Sequence, residues 1–122
     1  MASHPEGSLI GLRSSDGDIT LIRIEAGSRK VKGIGILDPL DKFSDASFGS
    51  EIQLGRSNYT IVRPRLPDVI SGMQRGAQTI SAKDAGFFIA KLGIGEGDNV
   101  LEAGLGSGGL SIHLIRCLGS KG

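Results

Sequence analysis

The chain has no tryptophan, one tyrosine, four phenylalanines and a single cysteine. One cysteine excludes an intrachain disulfide and a cysteine metal cluster, so Cys117, set within an apolar pattern, reads as a small core residue. His4 and His113 share no local ligand spacing, and no metal site is expected. Aromatic residues make up 4% of the chain, too few for a base-stacking platform. Charge of one sign is also lacking: 14 Lys and Arg against 13 Asp and Glu leave a net +1, which gives no bulk argument for nucleic acid. No apolar run approaches the ~18 residues of a membrane helix. Residues 1–8 have neither the basic start nor the apolar centre of a signal peptide, so a cytoplasmic protein without membrane contact is expected.

What the chain does have is glycine, 20 of 122 residues, which points to many turns rather than long helices. No repeat or low-complexity tract appears. Up to about Arg63 the pattern is strand-like. Thr20, Ile22 and Ile24 alternate with Leu21, Arg23 and Glu25, and further short strands are expected over residues 31–37, 51–54 and 58–62. Turn-forming clusters separate them, and Gly33 and Gly35 mark a bulge or a sharp bend. This spacing predicts a small antiparallel β-barrel or sandwich-like domain. Pro64 and Pro67 bracket an extended connector, which places a boundary near residue 65 and two domains at 1–65 and 66–122.

Beyond the connector the pattern turns helical. Asp68 is placed to cap a short helix running to Met73. Ser81 and Asp84 form a near capping box ahead of Ala85, Phe88, Ile89 and Leu92, an apolar stripe expected to pack on a sheet. Residues 99–103 read as a short strand, and Leu110, Leu114, Cys117 and Leu118 as the stripe of a last helix, with Gly119 as its cap.

Between strand and last helix lies Glu102, Ala103, Gly104, Leu105, Gly106, Ser107, Gly108, Gly109. A strand, an acid, alternating glycines and a helix N-terminus in that order leave backbone exposed where a ligand lies against it. The spacing departs from G-x-G-x-x-G unless Gly109 supplies the last glycine, and the Gly-Lys-Ser/Thr of a phosphate loop is absent. A carboxylate at Glu102 repels a pyrophosphate and suits a ligand carrying an ammonium and a sulfonium, which favours S-adenosylmethionine over a dinucleotide.

Three segments together resemble a known family: Ser81, Ala82, Lys83, Asp84, Ala85; then residues 92–104, Leu-Gly-Ile-Gly-Glu-Gly-Asp-Asn-Val-Leu-Glu-Ala-Gly; then Gly106, Ser107, Gly108. They are similar to the tRNA (adenine-N1)-methyltransferases, which modify a T-loop adenine, and residues 67–76 are similar to that family's lead-in. Isoaspartate and precorrin methyltransferases share a comparable loop, but Glu-Ala-Gly at 102–104 tilts the choice to tRNA. The resemblance implies an α/β fold in which the β domain precedes the first helix, strand and helix of a Rossmann-like methyltransferase domain. One βα unit falls short of a complete sheet, so the chain is expected to be a truncated, N-terminal part.

The resemblance also implies an S-adenosylmethionine site in which Gly104, Leu105, Gly106, Ser107 and Gly108 wrap the methionine end of the cofactor, Glu102 bonds its amino group directly or through water, and Gln78, Ile80 and Ser81 lie alongside. Ser81 serves either as a helix cap alone or as a cofactor contact too. A homo-oligomer, specifically a tetramer, is implied in the same way. The family's acid for the adenine amine and its ribose-binding carboxylate fall beyond Gly122, so no residue here is assigned as catalytic. Arg56, Arg63, Arg65 and Arg75 stand against Asp68 alone, a local excess of three positive charges. Arg63, Arg65 and Arg75 are the candidates for tRNA phosphate contacts, the alternative being a solvated surface. Two other readings stay open: a different S-adenosylmethionine-dependent methyltransferase, and a non-catalytic RNA-binding or assembly module.

Overall fold

The structure is a computed structural model and describes residues 4–72 and 79–122. The chain divides into two compact units, 1–72 and 73–122.

In the first unit, strands β1 (Leu9–Arg13), β2 (Ile19–Arg23), β5 (Glu51–Leu54) and β6 (Ser57–Val62) form an antiparallel sheet of order β2-β1-β6-β5. Strands β3 (Arg29–Val31) and β4 (Gly35–Leu37) form a separate hairpin. The sheet is open, with β2 and β5 at its edges, so the expected barrel is not closed. Ile10 faces Ile22, and Leu12 lies between Thr20 and Ile61; with Ile24, Leu54 and Phe43 these side chains make the core on one face of the sheet. Burying a branched or aromatic side chain in this way contributes about 1.5–3 kcal/mol each.

Two elements were not foreseen. One is the central strand β1. The other is helix α1 (Pro39–Phe43), capped by Asp38, whose carboxylate accepts from the N–H groups of Leu40 and Asp41, with Pro39 at the first helical position. Phe43 closes the core from this helix at 0% exposure. The single strand expected over 31–37 is instead the β3–β4 hairpin, because Gly33 (φ +79°) and Gly35 (φ +122°) take backbone angles that turn the chain back on itself.

Helix α2 (Leu66–Gly72) packs on the other face of the sheet, where a Cβ at Gly72 would lie 2.6 Å from Leu21 Cδ1. It therefore stays with the first unit, past the connector at residue 65. Asp68 does not cap this helix from outside. It sits within the first turn, and its carboxylate reaches back to accept from Arg65 N–H at 2.8 Å.

The second unit contains α3 (Ala82–Leu92) and α4 (Gly109–Leu118), followed by a short 3₁₀ turn. Ser81 caps α3 by accepting from Asp84 N–H at 3.1 Å, and Gly93 (φ +66°) closes it in a left-handed conformation. The strand expected over 99–103 is not formed. A strand needs a hydrogen-bonded neighbour, and among the described residues of this unit there is none. Leu101 is accordingly 97% exposed. The stripe on α3 is likewise largely uncovered: Ala85 is buried, but Phe88 and Leu92 are exposed. On α4, Leu114 and Leu118 are buried and Cys117 is half-buried.

Candidate functional site

The glycine loop keeps its position between the extended segment and α4. Gly104, Gly106 and Gly108 have φ of +78°, +58° and +79°, angles that a residue with a Cβ rarely adopts. A Cβ at any of these three would meet nothing within 4 Å, so backbone conformation, not crowding by protein atoms, is what requires glycine there. Gly109 differs, since a Cβ on it would collide with the Thr79 side chain. The loop turns through a hydrogen bond from Gly108 N–H to Leu105 C=O, 3.0 Å, and α4 starts with Ile112 N–H donating to Gly108 C=O, 3.0 Å.

A cavity of about 310 Å³ opens over this loop, lined by Ile80, Glu102, Ala103, Gly104, Leu105, Gly106, Ser107, Gly109 and Leu110. That volume is at the low end of the ~300–1,000 Å³ of small-ligand sites. Of the expected site residues, Ile80, Glu102, Gly104, Leu105, Gly106 and Ser107 thus converge on one cavity. Gly108 sits just behind it as the N-cap of α4, and Ser81 does not line it but caps α3. Gln78 lies outside the described residues.

Among the described residues Glu102 is the one ionisable side chain on the cavity wall, and it gives this part of the wall a negative charge. Gly108 provides no side-chain cap for the first N–H groups of α4. The acid suits the ammonium of an amino acid moiety, and the uncapped N–H groups at the start of α4 suit its carboxylate. Two residues given no role from the sequence hold this arrangement. Ser111, in the first turn of α4, donates to Glu102 Oε2 at 2.5 Å, and Thr79 Oγ1 lies 2.9 Å from Ser107 Oγ. A hydroxyl near the start of a helix after a glycine loop was the available signal, but its partner depends on the loop's path.

Of the candidate phosphate contacts, Arg63 and Arg65 belong to the first unit. Arg63 stacks its guanidinium over Phe48, 5.3 Å from the ring centroid, and Arg65 Nε is 3.5 Å from Asp68 Oδ2 with the Arg65 side chain 77% exposed. Arg75 lies outside the described residues. The first unit also has a larger cavity, about 420 Å³, lined by Asp18, Arg65 and Asp68 among others. Arg65 pairs with Asp68 there, which leaves Asp18 as an unbalanced acid, and its glycines, Gly17 and Gly72, come from separate segments and not from one loop leading into a helix, so the loop cavity is the better match to the glycine motif. Among the described residues no group of three or more His, Cys, Asp or Glu converges as a metal site, and no helix is long and apolar enough to cross a membrane.

No protein-family model matches the chain. Among solved structures, a SAM-dependent O-methyltransferase from Thermotoga maritima superposes with a TM-score of 0.83 at 29% identity, over 98% of this chain and 45% of that one. The tRNA (m1A58) methyltransferase TrmI from Aquifex aeolicus superposes with a TM-score of 0.75 at 28% identity, over 95% of this chain and 45% of that one. The class these structures define is the SAM-dependent methyltransferases.

Curated relatives narrow it. The tRNA (adenine(57)-N(1)/adenine(58)-N(1))-methyltransferase TrmI of Methanocaldococcus jannaschii is 37% identical over 73% of this chain, and the tRNA (adenine(58)-N(1))-methyltransferase TrmI of Thermus thermophilus is 41% identical over 52%. The chain spans 30% and 25% of the length of these two relatives. Over the matched residues it is a relative of the tRNA (adenine-N1)-methyltransferases, the family whose motifs it resembles.

Proposed function

We propose that this chain is part of a tRNA (adenine-N1)-methyltransferase, with a small β domain that the sequence bounds at residue 65 and α2 extends to residue 72, followed by the start of the Rossmann-like domain that binds S-adenosylmethionine. The observation that carries the reading is the cavity over the positive-φ glycines, with Glu102 as its one charged wall residue among those described. The donor set fits the cofactor. Bare loop backbone at Gly104 and Gly106 accepts a ligand at close range, the Glu102 carboxylate matches an ammonium, and the start of α4 matches a carboxylate.

When bound, the cofactor would supply a methyl group on a sulfonium: an adenine N1 lone pair would take the methyl as the S–CH3 bond breaks, leaving a neutral thioether and passing the positive charge to the adenine. The role of the chain's own residues is to hold the methionine end so that the methyl group faces the substrate. Glu102 anchors one end, the loop from Gly104 to Gly108 shapes the floor, and Ile80 covers a side. Gln78 and Ser81 are placed alongside in this reading. tRNA is the proposed substrate, with Arg63, Arg65 and Arg75 as candidate phosphate contacts, in a cytoplasmic homo-oligomer of tetrameric order.

Calorimetry or NMR titration with S-adenosylhomocysteine tests the site: binding that perturbs the amides of residues 104–108 and is lost in E102Q is expected, and unperturbed loop amides refute it. The high likeness to an O-methyltransferase structure favours one second reading, methyl transfer to an oxygen. Transfer of labelled methyl to tRNA, with the product mapped to N1 of adenine, separates the two.

A further inference from the structure

We propose that Ser111 is a positioning residue that aims Glu102. The inference rests on the reading of the loop cavity as an S-adenosylmethionine site and adds to it a residue that acts through the acid.

Glu102 precedes the glycine loop and Ser111 follows it, nine residues apart, and the Ser111 hydroxyl bridges the two ends of the loop by donating to Glu102 Oε2. Within a helix a serine hydroxyl either points to solvent or turns back to a carbonyl one turn earlier. Here its proton goes to the carboxylate instead. One carboxylate oxygen is thereby fixed, while Oε1 has no partner among the described residues and remains for a donor in the cavity. A glutamate on its own rotates about three side-chain bonds; tethering one oxygen pre-organises the other, and a charge-assisted bond is the strong kind.

The tether is itself anchored. Gly109 packs against Thr79 too closely for any Cβ, and Thr79 also bonds Ser107, so the first turn of α4, and Ser111 with it, is held at a set height above the loop. Ser111 therefore has a fixed position from which to orient the acid.

The test compares S-adenosylhomocysteine, which has the ammonium, with methylthioadenosine, which shares the thioadenosine and lacks the amino acid. Both are titrated into the full chain with the amide resonances of residues 104–108 as readout. S111A is expected to weaken S-adenosylhomocysteine by about tenfold while changing methylthioadenosine less than twofold, and S111T, which restores a hydroxyl, is expected to recover the affinity. The carboxyl carbon resonance of Glu102 should move in S111A and return in S111T. Alanine is the better helix former, so loss of binding through loss of α4 is not expected, and circular dichroism checks it.

Equal weakening of both ligands in S111A, or failure of S111T to recover, overturns the positioning role. If E102Q weakens S-adenosylhomocysteine selectively and S111A does not, the cofactor-site reading stands and Ser111 falls. If neither ligand perturbs the loop of the unaltered chain, the cofactor-site reading falls and the positioning role with it.

Discussion

Thr79 and Ser107, 28 residues apart in the chain, share a hydrogen bond of 2.9 Å between their hydroxyls, and it fastens the entry to α3 onto the glycine loop. The loop's shape is therefore set by a neighbouring segment as well as by its own glycines. T79V keeps the side chain's volume and removes the bond. It is expected to destabilise the loop by about 0.5–1.5 kcal/mol and to speed amide exchange at residues 105–109. S107A added to T79V should cost little more, because both changes delete the same interaction.

Two glycines four residues or fewer from one another are required for different reasons, and the difference is measurable. G109A sets a Cβ against the Thr79 methyl group and should cost about 1–3 kcal/mol by overpacking. T79S removes that methyl and keeps the hydroxyl, so the double variant is expected to recover most of the loss. G106V has no such rescue. Its cost comes from a β-branched residue at φ +58°, about 1–2 kcal/mol, and it should abolish S-adenosylhomocysteine binding in a chain that remains folded. Full affinity in folded G106V counts against the site.

Asp38 makes the first unit sensitive to acid. The backbone N–H of Asp41, then those of Gly27 and Leu40, hold its carboxyl below the ordinary carboxylate range despite an opposing desolvation. Because the folded value is the lower one, the stabilisation is complete above the unfolded value of about 4 and is lost as pH falls through the folded value. The Gly27 amide, which donates to Asp38 at 2.7 Å, should therefore shift, and lose protection relative to its intrinsic exchange rate, as pH falls below about 4. D38N retains an acceptor and should flatten that dependence.

If tRNA binds along the arginines, R63A, R65A and R75A together should lower the slope of log affinity against log salt by about one unit per lost contact. Arg65 already spends part of its charge on Asp68, so D68A is expected to tighten tRNA binding. Filter binding over a salt series reads both effects. An unchanged slope makes these arginines plain surface charge.

The two units should respond differently to substitution of a large apolar side chain. F43A removes a side chain at 0% exposure and is expected to cost about 3–5 kcal/mol, melting the first unit. L101D, at a side chain 97% exposed, should leave the stability of this chain within about 0.5 kcal/mol. Thermal unfolding followed separately in each unit by amide resonances distinguishes the two. A marked loss in L101D would place Leu101 in a packed strand.

Local chemistry was legible from sequence. Ser81 with Asp84 announced the start of α3, and Asp18 to Glu25 announced an alternating strand, because caps and period-two patterns depend on residues a few positions apart. The alternating glycines announced the loop, since a left-handed backbone at Gly104, Gly106 and Gly108 is a property of the residue itself. Strand β1 escaped because Gly11 at its centre is a poor strand former. Only the fold shows why glycine is there: a Cβ would lie 2.9 Å from both the Ile19 and the Val62 side chains. The tertiary structure also decided that residues 31–37 fold back as a hairpin, that the sheet stays open, and that residues 99–103, for all their strand-like sequence, form no strand without a neighbour to pair with. The same holds for the site. Glu102 and the glycines were visible one by one, whereas the bonds from Ser111 to Glu102 and between Thr79 and Ser107 depend on where the loop returns, which is set by close approach across the chain and not by any residue's own preference.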